Sequence, residues 1–257
     1  FKHKAVEGVM AGTGRHALVT GGGRGLGAAI ARALAGAGHR VTVLGRDRAA
    51  LDRVADGIGA AVAVADLADP AAVAAAFATL DPVDILVNNA GIAPSMPFAK
   101  TSRAEFERVL AVNLLGPVET CRHVLPGMQA RGWGRIINIA STAGLKGYAY
   151  TAAYVASKHA LVGLTRALAL EVAKTGVTVN AVCPGFADTD IVAASVEKIV
   201  AKTGRSAADA RAELAKFNPM GRLIAPEEVA AAVLYLVGEQ AAAVTGTALP
   251  VAGGEVT

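Results

Sequence analysis

The sequence predicts an α/β protein built on one doubly wound parallel sheet, and three observations predict it. Short apolar runs rich in Val, Ile and Leu alternate along the chain with longer stretches of helical periodicity. Those runs carry no polar face, as strands covered on both sides require. The first of them leads straight into a glycine-rich turn and then a helix, which is how a doubly wound sheet begins. An α/β barrel is the competing arrangement for 257 residues. No linker composition divides the chain, so residues 13–257 read as a single domain, with residues 1–12 as a tail outside it.

The elements follow in order. "HALVT" (16–20) is the first strand, and "LGAAIARALAGAG" (26–38) a helix that stops at its glycines. "RVTVLG" (40–45) is a second strand, "RAALDRVADGIG" a helix, and "AAVAVADLAD" (60–69) a third strand and turn. "PAAVAAAFATL" reads as a helix with Pro70 in its first turn. "VDILVNNAG" (83–91), "GRIINIAS" (134–141), "GVTVNAVCPG" (176–185) and "TALPVAGG" (247–254) complete about seven strands. Long helical patterns cover about 101–131 and 152–174. The stretch 187–228 is one or two helices inserted after a strand's carboxyl end, where a segment covering a substrate is often found.

The composition is 53% apolar and 18% charged, enough to bury a sizeable core. The net charge is +4, but the basic residues never form a block, which argues against a nucleic-acid surface. No stretch approaches the roughly 20 apolar residues of a membrane span. Cys121 and Cys183 are far apart and match no metal-ligand spacing; with no secretory signal, they point to a reducing, cytoplasmic setting.

The turn "TGGGRGLG" (20–27) carries the first chemistry. Gly21, Gly25 and Gly27 let backbone approach a pyrophosphate, Leu26 belongs to the same turn, and the helix N-terminus behind them attracts its charge. The second strand ends in "VLGRD". An acidic residue there would bond a ribose 2′-OH, whereas Arg46, with Arg24 beside it, suits a 2′-phosphate and so NADP(H). Asp47, one position later, keeps NAD(H) open.

"YAYTAAYVASKHA" (148–160) holds three of the four tyrosines. Tyr154 and Lys158 stand one helical turn apart, about 6 Å at Cβ. Gly147 separates Lys146 from Tyr150, so Tyr148 and Tyr150 fall in a loop, either as walls of a substrate pocket or as loop packing. His159 is expected to point away from the face shared by Tyr154 and Lys158.

Together "TGGGRGLG", "DL" at 66–67, "NNAG" (88–91), "VNLLG" (112–116), "IAST" (139–142), "YVASK" (154–158) and "PGFADT" (184–189) resemble the short-chain dehydrogenase/reductase family over residues 13–254. The resemblance implies a Rossmann-like sheet and an oxidoreductase acting on CH–OH or ketone groups. It implies that Asp66 and Leu67 meet the adenine, and that Asn88, Asn89, Ala90 and Gly91 flank the adenosine. Pro184, Gly185 and Thr189 would lie beside the nicotinamide. Asn113, Ser141, Tyr154 and Lys158 match the family's catalytic tetrad: Tyr154 as proton donor, Ser141 as donor to the substrate oxygen, Lys158 on the nicotinamide ribose and Asn113 holding a water to Lys158. Lys158 and the positive charge of an oxidised nicotinamide are expected to pull the Tyr154 phenol down from about 10.

From "NIASTAG" onward the chain looks most like bacterial 3-oxoacyl and aromatic polyketide ketoreductases, which implies a thioester-bound or small-molecule ketone, an acyl carrier protein as partner, and a homotetramer. It departs from that pattern at "IAPSMPF" (92–98), where stereochemistry-directing relatives often carry Pro-Gly-Gly. Two other functions remain open: an NAD-dependent secondary-alcohol dehydrogenase of catabolism, and a dinucleotide-binding regulatory subunit without turnover.

Overall fold

The structure is a computed structural model and describes residues 14–256; the tail read at residues 1–12 lies outside the described residues. Strand β1 (His16–Thr20) leads to α1 (Gly25–Gly36), β2 (Arg40–Gly45), α2 (Arg48–Ile58) and β3 (Ala61–Val64). Helix α3 (Pro70–Phe77) then returns the chain to β4 (Ile85–Asn88). The second half runs through α4 (Arg103–Leu110), α5 (Gly116–Ala130), β5 (Gly134–Ile139), α6 (Ala152–Val172) and β6 (Val177–Pro184). Next come α7 (Asp190–Thr203), α8 (Ala207–Ala215), α9 (Pro226–Val237) and β7 (Ala248–Val251). The seven strands form one sheet in the order β3-β2-β1-β4-β5-β6-β7, and every pair is parallel. This is the doubly wound sheet, not the barrel. The order reverses between β1 and β4, which opens a crevice at the carboxyl ends of those strands.

Alternation along each strand sends neighbours to opposite faces. Val19, Val87 and Ile137 meet α1, α2 and α9 through Ile30, Leu34, Leu51 and Val233. Leu18, Leu86 and Ile136 meet α3, α5 and α6 through Val73, Val124, Met128 and Val172. Burying each large aliphatic side chain contributes about 1.5–3 kcal/mol. No helix among the described residues is long and apolar enough to cross a membrane.

The helical pattern at 101–131 departs from the expectation of one helix. It splits into α4, a five-residue π segment (Ala111–Leu115) and α5. The reason lies in the sequence: Pro117 has no N–H for the carbonyl four residues before it, that of Asn113. The ladder widens instead, and the Gly116 N–H donates to the Ala111 carbonyl. The inserted stretch after β6 does form two helices, α7 and α8.

Candidate active site

The glycine turn and the end of β4 form one unit. The Gly21 N–H donates to the Leu44 carbonyl at 2.7 Å. Gly21 has φ +65°, and a Cβ there would stand 2.9 Å from Ala90 Cα. A Cβ on Gly27 would collide with the Gly21 carbonyl, so glycine lets α1 seat on the turn. Asn89 Nδ2 donates to the Thr20 and Gly21 carbonyls at 3.0 and 3.2 Å. Thr20 Oγ1 in turn accepts from the backbone N–H groups of Asn89 and Ala90 at 3.0 and 3.1 Å. No side chain caps the start of α1, where Arg24 is extended and exposed and Leu26 half-buried, so its first N–H groups remain available to an anion. A Cβ on Gly25 would lie 3.5 Å from Thr189 Cβ, which brings the start of α7 over the turn. A narrow glycine cradle with an uncapped helix end is what a dinucleotide pyrophosphate needs, and these residues fit one.

At the end of β2 the two candidate selectors separate. Asp47 is the N-cap of α2, its Oδ1 accepting from Ala50 N at 3.1 Å. Arg46 is exposed, with Nη1 3.5 Å from Asp66 Oδ2. Asp66 Oδ1 also accepts from Ala68 N at 2.9 Å, and Leu67 is buried beneath Gly116.

At the carboxyl ends of β5 and β6 the structure brings Asn113, Ser141, Tyr154 and Lys158 together. Ser141 caps a short 3-10 turn (Thr142–Gly144), accepting from Ala143 N at 3.1 Å, and its hydroxyl hydrogen-bonds Tyr154. Lys158 is buried; its Nζ donates to the Ile139 carbonyl at 2.7 Å and lies 5.7 Å from the Tyr154 ring centroid. Gly91 faces them, since a Cβ there would be 3.3 Å from Asn113 Oδ1 and 3.7 Å from Lys158 Nζ. Asn113, in the π segment, clamps Ile92 on both sides, accepting from its N–H and donating to its carbonyl at 2.9 Å each, and donates to Ser157 Oγ at 3.0 Å.

Among this chain's own residues the electrostatics run against one expectation. Burial pushes the Tyr154 phenol up, against the hydrogen bond from Ser141, rather than down. Burial also drives Lys158 down to about 8, opposed by the nearby Cys183. Loss of water by the charged form is the first cause in both cases. Cys183, on β6, is the residue the sequence reading passed over here; burial pushes its thiol up to about 11.

The two loop tyrosines part company. The Tyr148 ring packs against Phe186 and Phe217, with centroids 6.1 and 6.2 Å away, and Phe186 stacks on Phe217 at 5.0 Å. Its hydroxyl donates to Glu255 Oε1 and lies 2.6 Å from Thr142 Oγ1. Tyr150 is exposed with φ +65°, a costly conformation for a non-glycine, and its carbonyl accepts from Met96 N at 2.8 Å across the cleft mouth. Lys146 pairs with Glu255 at 3.2 Å, not with Tyr150. His159 is exposed, its Nδ1 bonded to Val155 O at 3.0 Å. Pro184 ends β6, and Gly185 N donates to Val251 O at 3.1 Å. Glu255 was not singled out in the sequence; the one signal for it is an acidic residue directly after "AGG" at the end of the last strand.

The family model of the short chain dehydrogenases matches residues 15–199. The chain belongs to that family. It is therefore an NAD(P)-dependent oxidoreductase acting on hydroxyl or ketone groups, and its cofactor is a nicotinamide dinucleotide. A granaticin polyketide synthase protein of Streptomyces violaceoruber, named for ketoacyl reduction, is 43% identical over 249 residues, covering 93% of this chain and 92% of its own. The D-beta-hydroxybutyrate dehydrogenase of Rhizobium meliloti is 38% identical over 251 residues, covering 93% and 97%. Among solved structures, a variant of actinorhodin polyketide ketoreductase with NADPH superposes with a TM-score of 0.90 at 40% identity, covering 94% of this chain and 97% of that one.

Proposed function

We propose that this short-chain dehydrogenase is an NADPH-dependent ketoreductase that reduces the ketone of a 3-oxoacyl or polyketide thioester, with Tyr154 as proton donor. The observation that carries the mechanism is the convergence of Ser141, Tyr154 and Lys158 at one strand end, where burial raises the Tyr154 phenol further above neutrality. A reduced nicotinamide dinucleotide held by the glycine turn and Lys158 would supply the hydride for the carbonyl carbon. Ser141 then donates a hydrogen bond to the developing alkoxide and Tyr154 gives its phenolic proton to that oxygen, leaving a secondary alcohol. Lys158, charged below about 8, stabilises the tyrosinate left behind and holds the ribose. Asn113 acts through Ile92 and the π segment that sets the cleft wall. In this reading Pro184 to Thr189 flank the nicotinamide, and α7 and α8 cover the substrate.

Two facts support NADPH over NADH. Asp47 Oδ1 is engaged in capping α2, which ties that carboxylate to the helix start. Arg46 keeps only an exposed pair with Asp66, of the kind worth about 0–1 kcal/mol, and a 2′-phosphate dianion can displace it. The thioester substrate, a carrier-protein partner and a homotetramer rest on the likeness to polyketide and 3-oxoacyl reductases. Steady-state kinetics with NADPH and NADH against ketones and 3-oxoacyl thioesters test the reading. The expected result is turnover of a 3-oxoacyl thioester with NADPH preferred; oxidation of hydroxyacids with NAD⁺ as the faster reaction would replace it with the dehydrogenase function.

A further inference from the structure

The chain beyond β7 turns back towards the cleft. Gly253 and Gly254 have φ +56° and +92°; a Cβ on the first would run into the Asn218 amide, and on the second would lie 3.4 Å from Pro219 Cγ. Glu255 follows with its side chain fully buried. Oε1 accepts from Tyr148 and pairs with Lys146, whose Nζ also donates to the Glu255 carbonyl at 3.3 Å. Tyr148 has one proton and gives it to Glu255, so Thr142 donates to Tyr148. Oε2 is buried over Gly185, the residue before Phe186, without a hydrogen-bond partner among the described residues. A carboxylate oxygen kept in that state costs stability. The arrangement locks the Tyr148 hydroxyl and leaves its ring as part of a wall with Phe186 and Phe217.

We propose that Glu255 is a positioning residue that sets how a ketone with a flat, apolar body fits the cleft, by fixing Tyr148 in the aromatic wall. The proposal rests on the ketoreductase reading. With Tyr148 held, the three rings offer carbon faces, and the one phenol hydroxyl among them is already engaged. Burial and the Glu255 carboxylate both keep that phenol protonated, so it remains a donor to Glu255.

Kinetics with NADPH and an aryl ketone test it in Glu255→Leu, Glu255→Gln, Tyr148→Phe and the Tyr148→Phe/Glu255→Leu double variant. Losing a hydrogen bond to a charged group is expected to raise KM about tenfold in Glu255→Leu, with kcat and NADPH affinity nearly unchanged. Glu255→Gln keeps an acceptor and stays near the wild type. Tyr148→Phe reproduces the KM rise, and the double variant is no worse than either single one. An unchanged KM in folded Glu255→Leu, or multiplied effects in the double variant, would overturn the proposal. Should Glu255→Leu fail to fold, Tyr148→Phe with a wild-type KM does the same. A wild-type protein inactive on every ketone would instead overturn the ketoreductase reading, and this proposal with it.

Discussion

The two ends of the cleft are built on different physical terms. At the end proposed for the adenosine the polar groups stand in water: the side chains of Arg46 and Asp66 are 67% and 42% exposed, and their pair is 3.5 Å long. At the end proposed for catalysis Asn113 and Lys158 are sealed in, 0% and 4% exposed and each bonded at 2.7–3.0 Å, beside half-buried Ser141 and Tyr154. Exposed charges exchange partners easily and select by affinity. Buried, bonded groups cannot rearrange cheaply, so they hold one geometry and act on rate and stability. If that contrast is right, substitutions at the two ends fail in different ways.

The largest effect is expected from Tyr154→Phe. It removes the only phenol that both meets Ser141 and faces Lys158. Ketone reduction should fall about 10²–10⁴-fold, the range for losing a general acid, while NADPH titrated by fluorescence binds nearly as before. Activity close to wild type would mean that the proton comes from elsewhere.

Next in size is Asn113→Ala. It strands the partly buried Ile92 N–H and carbonyl and removes one of the two partners of Ser157 Oγ, which keeps its bond to the Tyr154 carbonyl. Unsatisfied groups of this kind cost about 1–3 kcal/mol each, so a loss of roughly 3 kcal/mol and a Tm lower by about 6–12 °C are expected in thermal melts followed by circular dichroism. Arg46→Ala in the same melts should not move Tm. Equal shifts for the two variants would erase the contrast between the ends.

The third expectation concerns pH. Lys158 titrates near 8 because burial disfavours its charge. Below that pH the ammonium is present; above it the group is neutral and no longer stabilises a tyrosinate. In the reduction direction kcat/KM, which reports the free enzyme, should therefore fall as pH rises through about 8, up to about tenfold per unit. For folding the sign runs the other way. The unfolded chain binds the proton more tightly, so the cost of burying Lys158 is fully present below about 8 and is relieved as pH rises towards 10.5.

How much of this was legible in the sequence follows the same divide between local and distant. The seven strands, the glycine turn and the Tyr154–Lys158 spacing are patterns within a few residues, so periodicity and helix geometry reveal them. The π segment was legible in principle, because Pro117 stands four residues after Asn113, but helical periodicity on both sides hid it. The direction of the Tyr154 titration was not legible, since burial is decided by how α6 packs against β5 and β6. Nor was the partner of Tyr148, because Glu255 lies 107 residues away and only the fold returns the C-terminal residues to the loop after β5. Asp47 is a middle case: the same residue reads as a ribose ligand or as a helix cap, and the fold shows that its Oδ1 serves as the cap.

The smallest effect, and the one that sharpens the comparison most, belongs to Arg46. In Arg46→Ala the preference for NADPH over NADH, taken as the ratio of kcat/KM values, should fall about tenfold, because one charge-assisted contact to a 2′-phosphate is lost at about 1.5–3 kcal/mol less solvent screening. The kcat with saturating NADPH should stay near wild type, since nothing at the catalytic end touches this residue. An exposed contact is also screened by salt, so the wild-type preference itself should narrow as ionic strength rises from about 0.01 to 1 M and the Debye length shrinks from about 30 to 3 Å. A preference that survives both the substitution and the salt would move the selector to Arg24 or to the helix end behind it, and would mean that this end of the cleft is less open to exchange than the exposed Arg46–Asp66 pair suggests.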